Sequence, residues 1–458
     1  MKLDFAEKTA NPEQARSGWA ALEAELKRQV AASDPETRDA LLAVLGNSDF
    51  LARWARRFPE QVARLAASDW RRVWGPEDFF REAEAEGLTA PMLREELLAK
   101  LIVLKYRHLF RITLRDLGGI APFQEVAAEF SALARTVLQI ALLWQNTSLG
   151  TEFGAPRVLE GREIPFSVLA MGKLGGNELN FSSDLDLIYF YGSDSGISQK
   201  LPLSAHEYFT KLAERLTAFL QGKSSSGFLY RIDLELRPEG KAGALTSSID
   251  AMEDYYESFG ADWEKQAMIR ADWAAGDIAL CRDFLQRIHP FVFPKIGDFS
   301  YLSRLKKMKE KILDSIRAKS SRTFHVKLGE GGIREIEFFV QAMQMLFGGR
   351  IPSLQIANTL EVLPRLQQAG LIAAEEAQAL SEAYVFLRTL EHRLQLVEEQ
   401  QTHQLPENEA ELEQLARRMA YRQKEPHEAA TCMLEDLERH RGRVQAAFNA
   451  LLDKRFED

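Results

Sequence analysis

Two aspartates that follow a glycine-rich turn are the residues of this chain best suited to chemistry. Asp184 and Asp186 are separated by one leucine and precede an apolar run. Because alternate side chains of a strand share a face, both carboxylates face one point, roughly 6 to 7 Å apart. Two such charges repel by about 3 kcal/mol at an effective dielectric of about 20, which favours a cation between them. Mg²⁺ is the expected ion, since it prefers oxygen ligands and phosphate partners. The alternative is a pair of aspartates on an exposed strand or turn.

A second acidic segment strengthens the interpretation of Asp184 and Asp186 as metal ligands. Residues 228–238 alternate between apolar and charged side chains, which predicts a half-buried strand ended by Pro238. One face of this strand carries Arg231, Asp233, Glu235 and Arg237. Placed beside the first strand, Asp233 supplies a third metal ligand. Three carboxylates with arginines alongside fit a two-metal phosphoryl or nucleotidyl transfer site, and the alternative is a solvated strand face with internal ion pairs.

The glycine-rich turn before the first aspartate predicts a phosphate-binding loop. Its glycines allow a tight turn whose backbone amides can approach a phosphate closely. The spacing is neither that of a P-loop nor that of the dinucleotide fingerprint, and a plain strand-to-helix turn is the alternative. The expected phosphate- or nucleotide-binding residues are Gly172, Lys173, Gly175, Gly176, Ser182 and Ser183, with Arg231 and Arg237 from the second acidic segment.

The elements that position these residues can be predicted from the pattern of apolar residues and caps. A strand is expected over 164–171, and a helix over 204–221 separates the two acidic segments. Long amphipathic helices are expected over 91–110 and 123–144. Further caps are expected at Asp34, with Pro35 in the first turn, and at Ser48 or Asp49, and Gly46 is expected to stop a helix.

The predicted fold is mostly α, with an embedded α/β core that contains a small mixed sheet. We expect an N-terminal helical region over 1–110, the catalytic core over 111–300 and a C-terminal helical bundle over 301–458. The 458 residues are 46% hydrophobic, which is enough for two or three domains.

Composition excludes several classes of function. A net charge of −9 argues against broad nucleic-acid binding. No uninterrupted apolar run reaches the length of a membrane span, and the first residues lack the apolar core of a signal peptide. Cys281 and Cys432 form neither a disulfide framework nor a zinc pattern, so a reducing cytoplasmic compartment is expected.

Two other features are open to more than one interpretation. Nine Lys or Arg residues lie between Arg304 and Lys327, which predicts a solvated helix face or a docking surface for phosphate, nucleotide or an acidic partner. The histidines show no ligand or triad pattern, and His206, His392 and His403 are expected at the surface or at caps.

The motifs together resemble one family: the bacterial bifunctional enzymes that adenylylate and deadenylylate glutamine synthetase, within the DNA polymerase beta nucleotidyltransferase superfamily. The similarity covers about residues 90 to 405. The segments that carry it are 172–176, Glu178-Leu179, 183–186, Asp233, 236–238, 254–256, 262–264, 331–338 and 349–355.

This resemblance implies more than the residues alone. It adds a wall of the active site formed by Gly331, Gly332, Arg334, Glu335 and Glu337, which by sequence alone also fit a plain helix start. It assigns Asp184, Asp186 and Asp233 to catalysis with about two Mg²⁺ ions, and implies a helical bundle after the core.

The family's enzymes carry two nucleotidyltransferase halves, whereas this chain shows the signature once. Phe181, residues 290–293, 333–337 and 348–350 resemble the first, adenylyl-removing half. The resemblance therefore implies phosphorolysis of adenylyl-tyrosine on glutamine synthetase, with inorganic phosphate as co-substrate and ADP as product. It implies glutamine synthetase, the PII signal protein and a second nucleotidyltransferase half as partners. The alternatives are ATP-dependent adenylylation and a regulatory module that binds nucleotide without turnover.

Overall fold

The structure is a computed structural model that describes residues 4–29, 35–298, 300–318, 323–422 and 428–453. In this part of the chain, helices precede the main sheet, cover both of its faces and follow it. The helices before the sheet are α1 (Pro12–Gln29), α2 (Pro35–Asn47), α3 (Asp49–Arg57), α4 (Pro59–Ala66), α5 (Pro76–Ala85), α6 (Arg94–Leu117) and α7 (Phe123–Phe153).

Short strands and helices alternate through the middle of the chain. The strands are β1 (Pro156–Arg157), β2 (Phe166–Ala170), β3 (Leu185–Tyr191), β4 (Ile197–Ser198), β5 (Lys223–Ser224), β6 (Gly227–Phe228), β7 (Ile232–Asp233), β8 (Thr246–Ser248) and β9 (Asp272–Gly276). The helices of this part are α8 (Gly172–Gly175), α9 (Ala205–Leu220), α10 (Ile249–Ser258), α11 (Asp262–Met268), α12 (Ile278–Arg287) and α13 (His289–Val292).

The remaining helices follow the sheet and pack together. They are α14 (Ser300–Ala318), α15 (Ile333–Phe347), α16 (Thr359–Gln368), α17 (Ala374–Gln395), α18 (Glu409–Arg418) and α19 (Glu428–Asp453). With this mostly helical architecture around a small mixed sheet, the predicted fold class is confirmed.

The main sheet has five strands and mixed direction. Strand β3 lies beside β2 in antiparallel register, and β9 continues the sheet from β2. On the other side of β3, both β7 and β8 run parallel to it, β7 at its start and β8 at its end. The two aspartate segments are therefore neighbours, as the sequence predicted.

The sheet separates two hydrophobic cores. Leu187 and Tyr189 pack into the first core with helices α1 to α7 and α9. Ile188 and Phe190, on the opposite face, pack into the second core with α10 to α19. Because side chains alternate along a strand, Asp186 lies on the face of the second core.

Local signals in the sequence account for several boundaries. Ser204 caps α9 and forms a reciprocal capping box with Glu207, so the predicted helix 204–221 is confirmed. Ser48 caps α3 by accepting from the amide of Leu51 at 3.1 Å. Gly46 lies inside α2, one residue before its end, where a Cβ atom would come within 2.3 Å of Thr9. The cap expected at Asp34 lies outside the described residues.

Helix α7 is longer and more apolar than the sequence suggested. It meets the length and hydropathy criteria for a membrane span, with a mean hydropathy of 1.5 over its best window. However, 83% of that window is buried against the rest of the protein. This burial is typical of the core helix of a globular protein.

Candidate functional site

Asp186 and Asp233 are brought together by the parallel pairing of two strands. In the ladder between β3 and β7, Asp186 is the direct partner of Asp233, and Leu185 is the partner of Ile232. The register begins where the amide of Leu185 donates to the carbonyl of Arg231 at 2.9 Å. The two carboxylates therefore lie side by side at the edge of the sheet.

The second acidic strand is much shorter than predicted. Within 228–238, Phe228 ends strand β6 and Ile232 and Asp233 form β7. The chain then turns at Glu235 and Leu236, so the expected continuous strand over 228–238 is wrong. Arg237 lies in this turn and donates to the carbonyls of Leu234 and Gly243. The alternation of charge along 228–238 is therefore a property of a loop, and Arg237 fastens the loop to itself.

Gly172 lets the backbone approach Asp186. Its φ angle of +54° is in the left-handed region, and a Cβ atom there would lie 2.4 Å from Oδ2 of Asp186. The amide of Met171 also donates to the carbonyl of Asp186 at 2.9 Å. The turn after β2 thus serves as the surface against which the Asp186 carboxylate lies.

The other glycines of the turn permit close packing. A Cβ at Gly175 would lie 1.7 Å from the carbonyl oxygen of Arg270. The amides of Gly175 and Gly176 donate to the carbonyls of Met171 and Gly172, which closes the turn on itself. These two amides are therefore occupied within the turn, and a phosphate contact by the glycines stays a prediction.

The electrostatics of Asp186 fit a site that receives a cation. Burial raises the pKa of its carboxyl, and the neighbouring carboxylates of Asp233 and Asp184 raise it further, to about 7. The positive charges of Lys327 and Lys173 act in the opposite direction. A cation between Asp186 and Asp233 would remove the repulsion that raises this pKa.

Asp184 is paired with an arginine. Nε of Arg231 donates to Oδ1 of Asp184 at 2.5 Å, and Nη2 of Arg231 donates to the carbonyl of Ser182 at 2.8 Å. Ser182 is buried and donates to the carbonyl of Glu399, while Oγ of Ser183 accepts from the amide of Asn180. Both serines thus hold the loop that leads into β3, and their phosphate contacts stay predictions.

The donor set fits a divalent cation in part. Carboxylate oxygens are the ligands that Mg²⁺ prefers, and Asp186 and Asp233 are adjacent. Across the described ranges, however, no three His, Cys, Asp or Glu side chains form a group that could hold an ion. Asp184 would join the other two as a ligand only by exchanging Arg231 for the ion.

A buried glutamate holds Lys173. The Lys173 ammonium donates to Oε2 of Glu391 at 2.9 Å, and Asn180 donates to the same oxygen at 2.5 Å. His403 contacts the other oxygen of Glu391 at 2.8 Å. Burial lowers the pKa of Lys173, and the nearby cations Arg388 and Lys327 lower it further. Glu391 acts in the opposite direction, and the resulting pKa is about 8. Although burial acts against it, Lys173 and the other donors hold the pKa of Glu391 well below its usual range.

A second buried glutamate fastens the turn to the C-terminal helices. Glu178 accepts from the amide of Thr359 at 2.8 Å and from the hydroxyl of Tyr384 at 2.9 Å. Arg388, which is fully buried, donates to the carbonyl of Glu178 and to Asn180. The segment between the glycine turn and Asp184 is therefore bound to α16 and α17.

The expected wall of the site divides into two groups. Glu337 forms a buried ion pair with Arg270 at 3.0 Å. Burial raises the pKa of Glu337, but Arg270, Lys327 and other cations lower it more strongly, to about 2. Glu335 instead pairs with Lys309 at 3.0 Å and accepts from the amide of Gly331.

The rest of this wall faces other neighbours. A Cβ at Gly331 would clash with the backbone of Arg441 on α19, and one at Gly332 would lie 2.7 Å from the carbonyl of Val326. The Arg334 guanidinium lies over the ring of Phe338. Of the five residues, Glu337 is the one whose charge acts together with Lys173 and Lys327.

Two expectations about histidines outside the aspartates need correction. His392 is buried at 2% exposure, and His403 is bound to Glu391, so the surface or cap assignment of these two histidines is wrong. His206 is exposed, as predicted. In the described part of the basic stretch, Arg304 and Lys306 are exposed and form surface ion pairs with Asp262 and Asp453, which agrees with the expected solvated helix face. The side chains of 312–322 lie outside the description.

Sequence reasoning missed the charged residues that pack around the glycine turn, most of which come from distant parts of the chain. They are Glu178, Arg270, Lys327, Arg388 and Glu391. Glu178 stands inside the quoted motif and Lys327 inside the basic stretch, so both were in view without a role. Arg388 and Glu391 are spaced by three residues on α17, and their local sequence does not indicate which segment they contact.

The sheet, its flanking helices and the paired aspartates define a nucleotidyltransferase with a largely helical frame. Residues 38–287 match the family model described as Glutamate-ammonia ligase adenylyltransferase. The chain belongs to this family. Residues 306–452 match a second model, described as GlnD PII-uridylyltransferase.

Curated relatives give the same assignment. The chain is 40% identical over 384 residues to the bifunctional glutamine synthetase adenylyltransferase/adenylyl-removing enzyme of Hahella chejuensis, covering 83% of the chain and 40% of that protein. It is 38% identical over 423 residues to the protein of the same name from Nitrosococcus oceani, covering 91% of the chain and 42% of that protein. The chain thus spans about two fifths of the length of these relatives.

Proposed function

We propose that this chain removes adenylyl groups from an adenylylated tyrosine of glutamine synthetase by phosphorolysis. An oxygen of inorganic phosphate attacks the adenylyl phosphorus, and the bond from phosphorus to the tyrosine oxygen breaks. The products are ADP and a tyrosine whose oxygen takes up a proton. The observation that carries the proposal is the in-register pair of Asp186 and Asp233 beside the glycine turn.

Each part of the proposal has its own support. The reaction class is supported by the family to which the chain belongs. The substrate is supported by the names of the relatives, which cover both addition and removal of the adenylyl group. The direction is supported by the similarity of Phe181 and residues 333–337 to the adenylyl-removing half.

The chain's own residues would hold the reacting groups in place. Asp186 and Asp233 would hold Mg²⁺, and Asp184 would join them on leaving Arg231. A bound ion would stabilise the charge on the phosphorus oxygens and on the departing tyrosine oxygen. Arg231, once released, would neutralise a phosphate oxygen, and Gly172 would keep Asp186 in position. The inorganic phosphate is already anionic, so its attack needs little help from a base.

The partners and location follow from the same proposal. Glutamine synthetase is the protein substrate, and the PII signal protein and a second nucleotidyltransferase half are further partners, in the cytoplasm. Residues 306–452 are similar in sequence to a PII-uridylyltransferase model. This similarity identifies no residue that contacts PII.

A pair of assays tests the direction. The 458-residue chain is incubated with adenylylated glutamine synthetase, inorganic phosphate and Mg²⁺, and in parallel with unmodified glutamine synthetase, ATP and Mg²⁺. Release of ADP in the first assay supports removal. Pyrophosphate in the second assay without ADP in the first supports adenylyl transfer, the alternative direction. Nucleotide binding by calorimetry without either product supports a regulatory module.

A further inference from the structure

Most cations around the aspartates are neutralised by a carboxylate. Lys173 is bound to Glu391 and Arg231 to Asp184, each within 3 Å. Arg270 is paired with Glu337 at 3.0 Å. Because a paired cation has less attraction left for an incoming anion, these groups serve first to hold the fold.

Lys327 differs from them. Its ammonium forms no hydrogen bond or ion pair with any residue in the described ranges. Its side chain is nevertheless half-buried, in the turn that leads into α15. An ammonium group that is partly removed from water without a partner loses hydration that nothing in the fold returns.

The backbone around Lys327 is fixed on both sides. The amide of Val326 donates to the carbonyl of His403 at 2.8 Å, and the amide of Arg334 donates to the carbonyl of Lys327 at 3.0 Å. The ring of His325 stacks on that of His403, with centroids 5.4 Å apart. Since His403 contacts Glu391, which binds Lys173, the segment is linked through these contacts to the glycine turn.

The charge of Lys327 acts on groups from three different elements. It lowers the pKa of Asp186 on β3 against the effect of burial, and it lowers the pKa of Glu337 on α15. It also contributes to the lowered pKa of Lys173 on the turn after β2. The ammonium therefore lies within electrostatic reach of Asp186, Glu337 and Lys173.

We propose that Lys327 binds a phosphate group of the substrate, and in the proposed reaction the attacking inorganic phosphate. This inference rests on the proposed function for the identity of that phosphate. A lysine suits the role because its ammonium is a compact charge on a flexible stem that can follow an anion as it reacts. The fixed backbone keeps the stem at the edge of the site, and the free ammonium supplies the charge that the paired cations lack.

Binding of inorganic phosphate, AMP and ADP to the 458-residue chain with Mg²⁺ tests the inference by calorimetry. Lys327→Gln should weaken phosphate binding about tenfold or more, because a charge-assisted hydrogen bond is lost. Lys327→Arg should keep most of the affinity. Lys327→Met, which retains the apolar stem, provides a second charge-free variant should the glutamine variant unfold.

Lys241→Gln is the matched control. Lys241 is also a cation close to the aspartates, since its charge acts on Asp233, but its side chain is 79% exposed and paired with Glu235. This variant makes the same change of net charge and should bind phosphate with unchanged affinity. An equal loss of phosphate affinity in Lys327→Gln and Lys241→Gln would show that the loss comes from the change in net charge alone, and would overturn the inference.

The three ligands separate the possible sources of the phosphate group. A loss confined to inorganic phosphate assigns Lys327 to the co-substrate, and a loss for AMP and ADP assigns it to the nucleotide. Unchanged binding of all three in Lys327→Gln, or no phosphate binding by the wild-type chain, overturns the inference. If the wild-type chain binds phosphate through Lys327 but releases no ADP, the proposed function fails and the phosphate site stands.

Discussion

Replacing Gly172 with alanine tests whether the glycine turn positions Asp186. The new Cβ would lie 2.4 Å from Oδ2 of Asp186, whereas ordinary contact begins at 3.4 Å. The carboxylate must retreat by about 1 Å, and a misplacement of that size can lower the rate by about 100-fold. The left-handed backbone adds about 1 to 2 kcal/mol of strain, which lowers the free energy of unfolding.

Gly370→Ala separates the two effects. Gly370 has a φ of +72°, and nothing lies within 4 Å of its Cβ position, so this variant carries the backbone strain without the clash. ADP release from adenylylated glutamine synthetase is compared for both variants, with urea unfolding as the measure of stability. We expect similar losses of stability of about 1 to 2 kcal/mol and a loss of activity in Gly172→Ala alone. If Gly172→Ala keeps the rate of Gly370→Ala, the turn does not position the carboxylate.

Three further predictions concern charge. Asp184→Asn should abolish ADP release while the thermal unfolding temperature stays close to that of the wild type; substantial turnover with Mg²⁺ would refute a catalytic role for Asp184. Because the pKa of Asp186 is raised to about 7, the folded chain without divalent cations loses stability as pH rises from about 4 to about 7. Asp186→Asn removes this titration and should stabilise the metal-free chain at pH 8 by on the order of 2 to 4 kcal/mol, with little difference at pH 4, as measured by urea unfolding. Arg388→Met leaves the buried carboxylate of Glu391 short of a cation and should cost about 3 to 5 kcal/mol of unfolding free energy, whereas Arg53→Ala, at an exposed pair, should cost less than about 1 kcal/mol.

Local patterns in the sequence predicted the parts of the fold that short-range physics determines. Helix α9 was predicted from its apolar spacing, and the capping box that Ser204 and Glu207 form within one turn fixes its start. The neighbouring aspartate segments were predicted because the length between them suits a helix and turns. The family was recognised from short motifs, each only a few residues long, between residues 172 and 355, and was confirmed by comparison.

The remainder depends on contacts between distant segments. Lys173 and Glu391 are 218 positions apart, so the pattern around either residue gives no sign of the other. The charged alternation at 228–238 suggested a strand because period two is all that the sequence displays there. In the structure Arg237 donates hydrogen bonds to carbonyl oxygens of its own loop, and the chain turns after Asp233. The roles of His403 and Lys327 likewise arise only when the C-terminal helices pack on the sheet.

The buried contacts of Glu178 and Glu391 also bear on how this chain can be divided or recombined. Residues 38–287 and 306–452 match two different family models, which suggests two interchangeable modules. Yet Glu178 from the first region is held by Tyr384 from the second, and Glu391 from the second holds Lys173 from the first. A chimera that exchanged the helical bundle for that of a distant relative would need to exchange these partners as a set. The two regions can therefore vary independently at their surfaces, whereas a change on one side of this junction requires a matching change on the other.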